Sequence, residues 1–132
     1  MENILFFLTP KSEVQYLEEG CSIRQALEKM DSHHYRTIPV LSKDGKYLES
    51  LSEGDFLWFI KDKGLNLKKC ENMSISKITP ERNNQSILLD KNMDELLSLI
   101  DIQRFVPVVD YSGTFIGIVT RKAVINHMLK KK

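Results

Sequence analysis

Along the chain the spacing of apolar positions changes repeatedly, and each change marks an element. Ile23, Ala26, Leu27 and Met30 recur at i, i+3, i+4 and i+7, which is one face of an α-helix. Ser22 and Gln25 at its start form a capping-box pair, each side chain serving the other residue's backbone N–H. Thr37 to Leu41 is then rich in strand formers. The turn "SKDGK" follows, with Gly45 suited to positive φ, and Tyr47 to Leu51 reads as the second strand of a hairpin. Phe56, Phe59 and Ile60 supply the stripe of a closing helix that Gly64 stops. A leading strand is expected near Val14 to Leu17.

The second half repeats the first. Leu8-Thr9-Pro10 matches Ile78-Thr79-Pro80 at a shift of 70, and the same shift carries Ile23, Ala26, Leu27 and Met30 onto Met93, Leu96, Leu97 and Ile100. Asn92 and Glu95 take the places of Ser22 and Gln25. The shift then falls to 68, so "RTIPVL" from Arg36 lies on "RFVPVV" from Arg104, Gly45 on Gly113, Ser52 on Thr120 and Phe56 on Val124. A leading strand is expected near Ser86 to Leu89, and a closing helix carries Val124, Ile125, Met128 and Leu129. The fold class is therefore α+β, with two βαββα repeats. We place repeat 1 at residues 1–64, a connection at 65–77 and repeat 2 at 78–132. A unit of this size buries too little alone. The repeats are expected to pair their sheets about a pseudo-two-fold axis, helices outside, leaving two equivalent clefts.

Composition narrows the function. The 132 residues are 42% hydrophobic and 28% charged, as in ordinary globular proteins. Nineteen basic against 18 acidic residues leave a net charge of +1, which disfavours a nucleic-acid binder driven by phosphate neutralisation. The one basic run, Lys130 to Lys132, suits a helix C-terminus. The apolar run "ILFFL" is too short for a membrane span and lacks the pattern of a signal peptide. Cys21 and Cys70 show no disulfide or metal spacing and fit a cytoplasmic protein. His33, His34 and His127 lack converging ligands and read as surface or packing residues. Trp58, beside Phe56 and Phe59, reads as a core or dimer-face residue. No nucleophile–base pair and no phosphate-binding glycine loop emerges, so the chain is not expected to be an enzyme.

The remaining chemistry lies where the hairpin enters the closing helix. In Ser52-Glu53-Gly54-Asp55 a hydroxyl precedes a carboxylate by three residues, a capping-box variant that stabilises the helix start by about 1 kcal/mol. The same geometry suits a nucleoside phosphate, with free helix-end N–H groups for phosphate and a carboxylate for the two hydroxyls of a ribose. In the second copy Ala123 replaces the carboxylate.

The doubled βαββα unit, the Pro-Val strand, the glycine turn and the Gly-h-h-Thr/Ser-x-x-Asp entry to the helix resemble the CBS domain. In tandem they resemble a CBS pair, or Bateman module, of the small stand-alone bacterial type, over roughly Ile4 to Leu129. The resemblance implies a non-enzymatic regulatory module that binds an adenosine nucleotide between the repeats, with no required cofactor. It implies one site formed by Ser52 and Asp55, with Ser50 nearby. Thr79, Gln103, Arg104 and Phe105 would line its adenine side, Arg104 by stacking or phosphate pairing, and Thr37 and Arg36 would reach phosphate. A weaker second site would use Thr9, Tyr35, Thr120 and Arg121, without a carboxylate at Ala123. It further implies a homodimer and a protein partner, with neither nucleic acid nor membrane as target. S-adenosylmethionine or a cyclic dinucleotide are alternative ligands. Glu49 stands where the family has glycine. With Ala123 it motivates a rival reading, a structural or interaction module with vacant clefts.

Overall fold

The computed structural model describes residues 3–64 and 66–130, so Lys131 and Lys132 of the lysine run lie outside the described residues. In chain order the elements are β1 (Thr9–Pro10), β2 (Leu17–Glu18), α1 (Ile23–His33), β3 (Thr37–Leu41), β4 (Tyr47–Ser52), α2 (Glu53–Asp62), α3 (Leu67–Cys70), β5 (Ile87–Leu88), α4 (Met93–Ile102), β6 (Phe105–Val109), β7 (Phe115–Thr120) and α5 (Arg121–Lys130). Short 3-10 turns occupy Ile4–Phe7, Lys11–Glu13 and Ile75–Lys77. Strand, helix, strand, strand, helix thus occurs twice, and the bounds of β3, β4 and α2 correspond to those of β6, β7 and α5 at the constant shift of 68. The two residues by which the first copy is longer are His33 and His34. His34 takes the left-handed conformation at φ 57° and closes α1 by donating to the carbonyls of Asp31 and Met30. In α4 the extended Gln103 does the closing, with no left-handed residue.

The chain forms two compact units, and neither is a contiguous repeat. Unit 1 holds the residues through Val14, Gly45–Tyr47 and everything from Asn84 onward; unit 2 holds Gln15–Asp44 and Leu48–Asn83. Each unit draws on both repeats, because the leading residues of each repeat pack with the hairpin and helices of the other.

Unit 1 carries a four-stranded sheet in the order β1-β7-β6-β5. β6 and β7 are antiparallel from Phe105↔Thr120 to Val109↔Phe115, β5 lies parallel to β6, and β1 adds antiparallel to β7 through Thr9↔Ile118 and Pro10↔Gly117. All five residues of β6 are buried, which explains its unbroken apolar run. The core gathers Ile4, Phe7, Ile87, Leu96, Ile100, Val106, Val108, Val119 and Val124. Within "ILFFL", Ile4 and Phe7 point into this core, and His127 meets the rings of Phe6 and Phe7 edge-on.

Unit 2 carries the three-stranded sheet β2-β3-β4, with β2 parallel to β3 through Leu17↔Val40. Its core joins Ile23, Ala26 and Met30 of α1 to Ile38, Val40, Leu51, Phe56 and Phe59. Cys70, Ile75 and Ile78 belong to the same core. The segment read as a connection is thus built into the unit. The carbonyls of Met73 and Glu71 also accept from the N–H groups of Ile23 and Arg24, satisfying α1's first turn.

Candidate functional site

Strand β4 ends at Ser52, which becomes the N-cap of α2. Asp55 N–H donates to Ser52 Oγ (3.2 Å) and Ser52 N–H donates to Asp55 Oδ2 (2.8 Å), completing the capping box. The N–H of Glu53 donates to the carbonyl of Arg36 (2.9 Å), so the start of β3 is tied to the start of α2. Asp55 Oδ1 accepts a second backbone N–H, from Glu81 (2.9 Å). Asp55 is 8% exposed, a nearly buried carboxylate whose two oxygens are both engaged by main chain.

The corresponding turn in unit 1 keeps half of this. Ala123 N–H donates to Thr120 Oγ1 (3.1 Å), and Arg121 N–H donates to the carbonyl of Arg104 (2.8 Å). The return bond is missing because Ala123 has no side-chain oxygen. Arg121 turns its Nε–H to the carbonyl of Ile100 (2.9 Å), near the end of α4, where a cation is favoured.

A second asymmetry lies three residues before Ser52 and Thr120, in β4 and β7. Gly117 allows Thr9 and Pro10 to pair with β7, since a Cβ there would sit 2.2 Å from the Thr9 carbonyl oxygen. Its counterpart in β4 is Glu49, and in unit 2 Thr79 and Pro80 form no strand. Burial, and then the negative charge of Asp55, hold the Glu49 carboxyl above the usual glutamate range.

Unit 2 contains a cavity of about 700 Å³ lined by Asp55, Trp58, Lys63, Lys77, Thr79 and Glu81 among others. Asp55, Trp58, Phe59 and Asp62 present one face of α2 to it. Its volume lies within the range of small-molecule sites. Trp58 is 47% exposed, with the Lys61 ammonium 4.9 Å from its ring centre. A different cavity in the same unit, of about 850 Å³, takes in Tyr35, Arg36, His34, Glu53 and Gly54.

The structure thus brings together Ser52, Asp55 and Thr79, with Ser50 buried just upstream in β4. Arg36 and Thr37 lie in the same unit, Arg36 on the second cavity. Gln103, Arg104 and Phe105 belong to unit 1. There Gln103 is 5% exposed and spends its amide on backbone, receiving Gln85 N–H and donating to the carbonyls of Gln85 and Phe105. Arg104 is exposed and Phe105 buried. Of the weaker set, Thr9, Thr120 and Arg121 share unit 1, whereas Tyr35 lies in unit 2, its hydroxyl accepting from Gln15 N–H (3.1 Å). The sequence reading passed over Glu81, Lys63 and Lys77. Lysine spacing beyond α2 was the only available signal for the last two, and a backbone N–H such as that of Glu81 leaves none.

Among the described residues no helix is long and apolar enough to cross a membrane. The CBS domain family model matches residues 7–62 and again 75–130. No curated protein sequence matches the chain. Among solved structures, a hypothetical conserved protein from Geobacillus kaustophilus aligns with TM-score 0.89 at 24% identity, covering 99% of this chain and 98% of its own. Listeria monocytogenes CbpB in complex with c-di-AMP gives 0.86 at 22% identity, covering 97% and 96%. CBSX2 in complex with AMP gives 0.79 at 22% identity, covering 98% of both chains. At these identities the likeness is one of fold.

Proposed function

Because the chain belongs to the CBS-domain family in both of its halves, we propose that it is a non-enzymatic regulatory module that binds an adenosine nucleotide at the Ser52–Asp55 turn of unit 2. The observation that carries this reading is the carboxylate of Asp55, set at a helix start and lining a cavity of ligand size with Thr79. Two proteins of the same fold, CbpB and CBSX2, hold c-di-AMP and AMP respectively, which supports the adenosine class over other anions. In this reading the ribose hydroxyls donate to Asp55, and Lys63 and Lys77 offset phosphate charge at the cavity wall. The turn at Thr120 and Ala123 lacks the acceptor and is the weaker site. Losing a hydrogen bond to an ionised group costs about ten- to a hundredfold in affinity.

Thermal denaturation with AMP, ADP, ATP, S-adenosylmethionine and c-di-AMP tests the reading. A ligand at 100 times its Kd adds about 2.7 kcal/mol, which for a chain of this size raises Tm by roughly 5–10 °C. Asp55→Ala removes that rise. No response to any of the five at millimolar concentration overturns the reading.

A second reading has its own support: both Asp55 oxygens already accept backbone N–H groups. On it, the carboxylate is structural and the module serves protein interaction. Loss of stability in Asp55→Ala without any nucleotide response in the unaltered protein selects it.

A further inference from the structure

Residues 78–81 are secured differently from their counterparts. In unit 1 the segment Leu8–Pro10 is held by strand pairing at Thr9↔Ile118 and Pro10↔Gly117. That pairing needs the bare glycine, because any Cβ at Gly117 meets the Thr9 carbonyl oxygen at 2.2 Å and the Pro10 Cα at 3.1 Å. In unit 2 Glu49 occupies the matching position and Thr79–Pro80 is not strand. A side chain does the holding instead, with Glu81 N–H donating to Asp55 Oδ1 at 2.9 Å. The carboxylate therefore stands in the copy that lacks the pairing and is absent from the copy that has it.

An ionised carboxylate offers about four lone-pair positions. In Asp55 one on each oxygen is taken by main chain, and the group is 8% exposed. A vicinal diol that takes both carboxylate oxygens competes with the Glu81 N–H for Oδ1. The segment is built for movement at one end. Ile78 is buried in the core of unit 2, while Glu81, Arg82 and Asn83 are exposed. Immediately beyond, at Asn84, the chain enters unit 1.

We infer that residues 79–83 form a strap latched to Asp55 by the Glu81 N–H, and that a vicinal diol binding to Asp55 releases it. The inference rests on the nucleotide reading above and adds the way occupancy is passed on. The reporter is the stretch of chain that leaves the binding unit, and the trigger is exchange of one acceptor oxygen between a backbone N–H and a sugar hydroxyl.

Amide hydrogen exchange of the full chain, read at the Glu81 N–H by NMR, tests this with AMP as the probe and calorimetry reporting binding. Asp55→Ala, without nucleotide, is expected to speed exchange at Glu81 by about ten- to a hundredfold, the cost of a lost bond to a charged acceptor, and to leave Val119 unchanged. Should that variant not fold, Asp55→Asn keeps the shape, loses the charge and is expected to show a smaller rise. Saturating AMP is expected to speed Glu81 exchange in the unaltered protein. Unchanged exchange in the folded Asp55 variant overturns the latch. Binding of AMP with unchanged or slower exchange at Glu81 overturns the release and leaves nucleotide binding standing. No binding of AMP, ADP, ATP, S-adenosylmethionine or c-di-AMP overturns the nucleotide reading and the release with it, while the variant arm still decides the latch.

Discussion

Gly117 and Glu49 are equivalent positions with opposite demands. At Gly117 the φ is 154° and the neighbouring backbone leaves no room for a Cβ. Gly117→Ala must therefore push β1 off β7, and overpacking of this kind costs about 1–3 kcal/mol. A urea titration should show the loss in the midpoint with little change in slope. Glu49 carries a different penalty. Its carboxyl titrates above the ordinary range because of burial first and the Asp55 charge second. The folded state thus binds the proton more tightly than the unfolded state does. Stability from this group is complete below the unfolded pKa and is lost as pH rises through the folded one. Glu49→Gln is accordingly expected to be more stable than the unaltered protein at neutral pH. The difference should shrink as pH falls through the glutamate range, and Tm measured across that range checks it. A variant less stable than the unaltered chain at neutral pH refutes the assignment. Both departures, Glu49 and Ala123, were legible in the sequence. Their joint consequence was not, because it depends on which backbone segment lies against each strand, and residues 8–10 and 78–81 look alike as text.

At the level of elements the helix starts were the most legible part. Ser22 with Gln25 and Ser52 with Asp55 both close full capping boxes, as their spacing required. Asn92 accepts from Glu95 N–H (2.9 Å), but α4 lacks the return bond that Gln25 makes to Ser22. The hairpins were legible for the same reason, since Gly45 and Gly113 adopt φ of 88° and 85° in matching turns. Less legible was the stretch after Gly64. Its charged, weakly periodic sequence hid Cys70 and Ile75, which are buried by tertiary packing that no local pattern announces. The incomplete box at α5 makes a direct test of the capping role. Ala123→Asp supplies an acceptor for the Thr120 N–H and a negative charge in the first turn. Stability is expected to rise by about 0.5–1 kcal/mol, read from the urea midpoint. A fall in stability would indicate that the space beside Ala123 is already filled by the closely held β1 segment.

The whole molecule divides into two units, but the chain does not supply them in sequence. It changes unit at Val14/Gln15, Asp44/Gly45, Tyr47/Leu48 and Asn83/Asn84. Unit 1 without the first repeat loses Ile4 and Phe7 from its core and β1 from the edge of its sheet. Unit 2 without the second repeat's leader loses Ile78, and a cut before Cys70 also removes Ile75 and the carbonyls of Glu71 and Met73 that serve α1. Each buried aliphatic or aromatic side chain removed in this way costs about 2–5 kcal/mol. A domain of ordinary stability has only about 5–15 kcal/mol in total. Residues 1–64 and residues 65–132, produced separately, are therefore expected to be unfolded, with far-UV circular dichroism lacking the helical signal of the full chain and no cooperative melt. The full chain is expected to melt in one transition whose calorimetric and van't Hoff enthalpies agree. The outcome separates two accounts of the repeat. If each half folds alone, the exchange of leading segments is decoration on two independent domains. If neither does, the exchange is what makes one cooperative protein of two copies, and the strap at Asp55 then acts on a piece of chain that unit 2 cannot release without cost to its own fold.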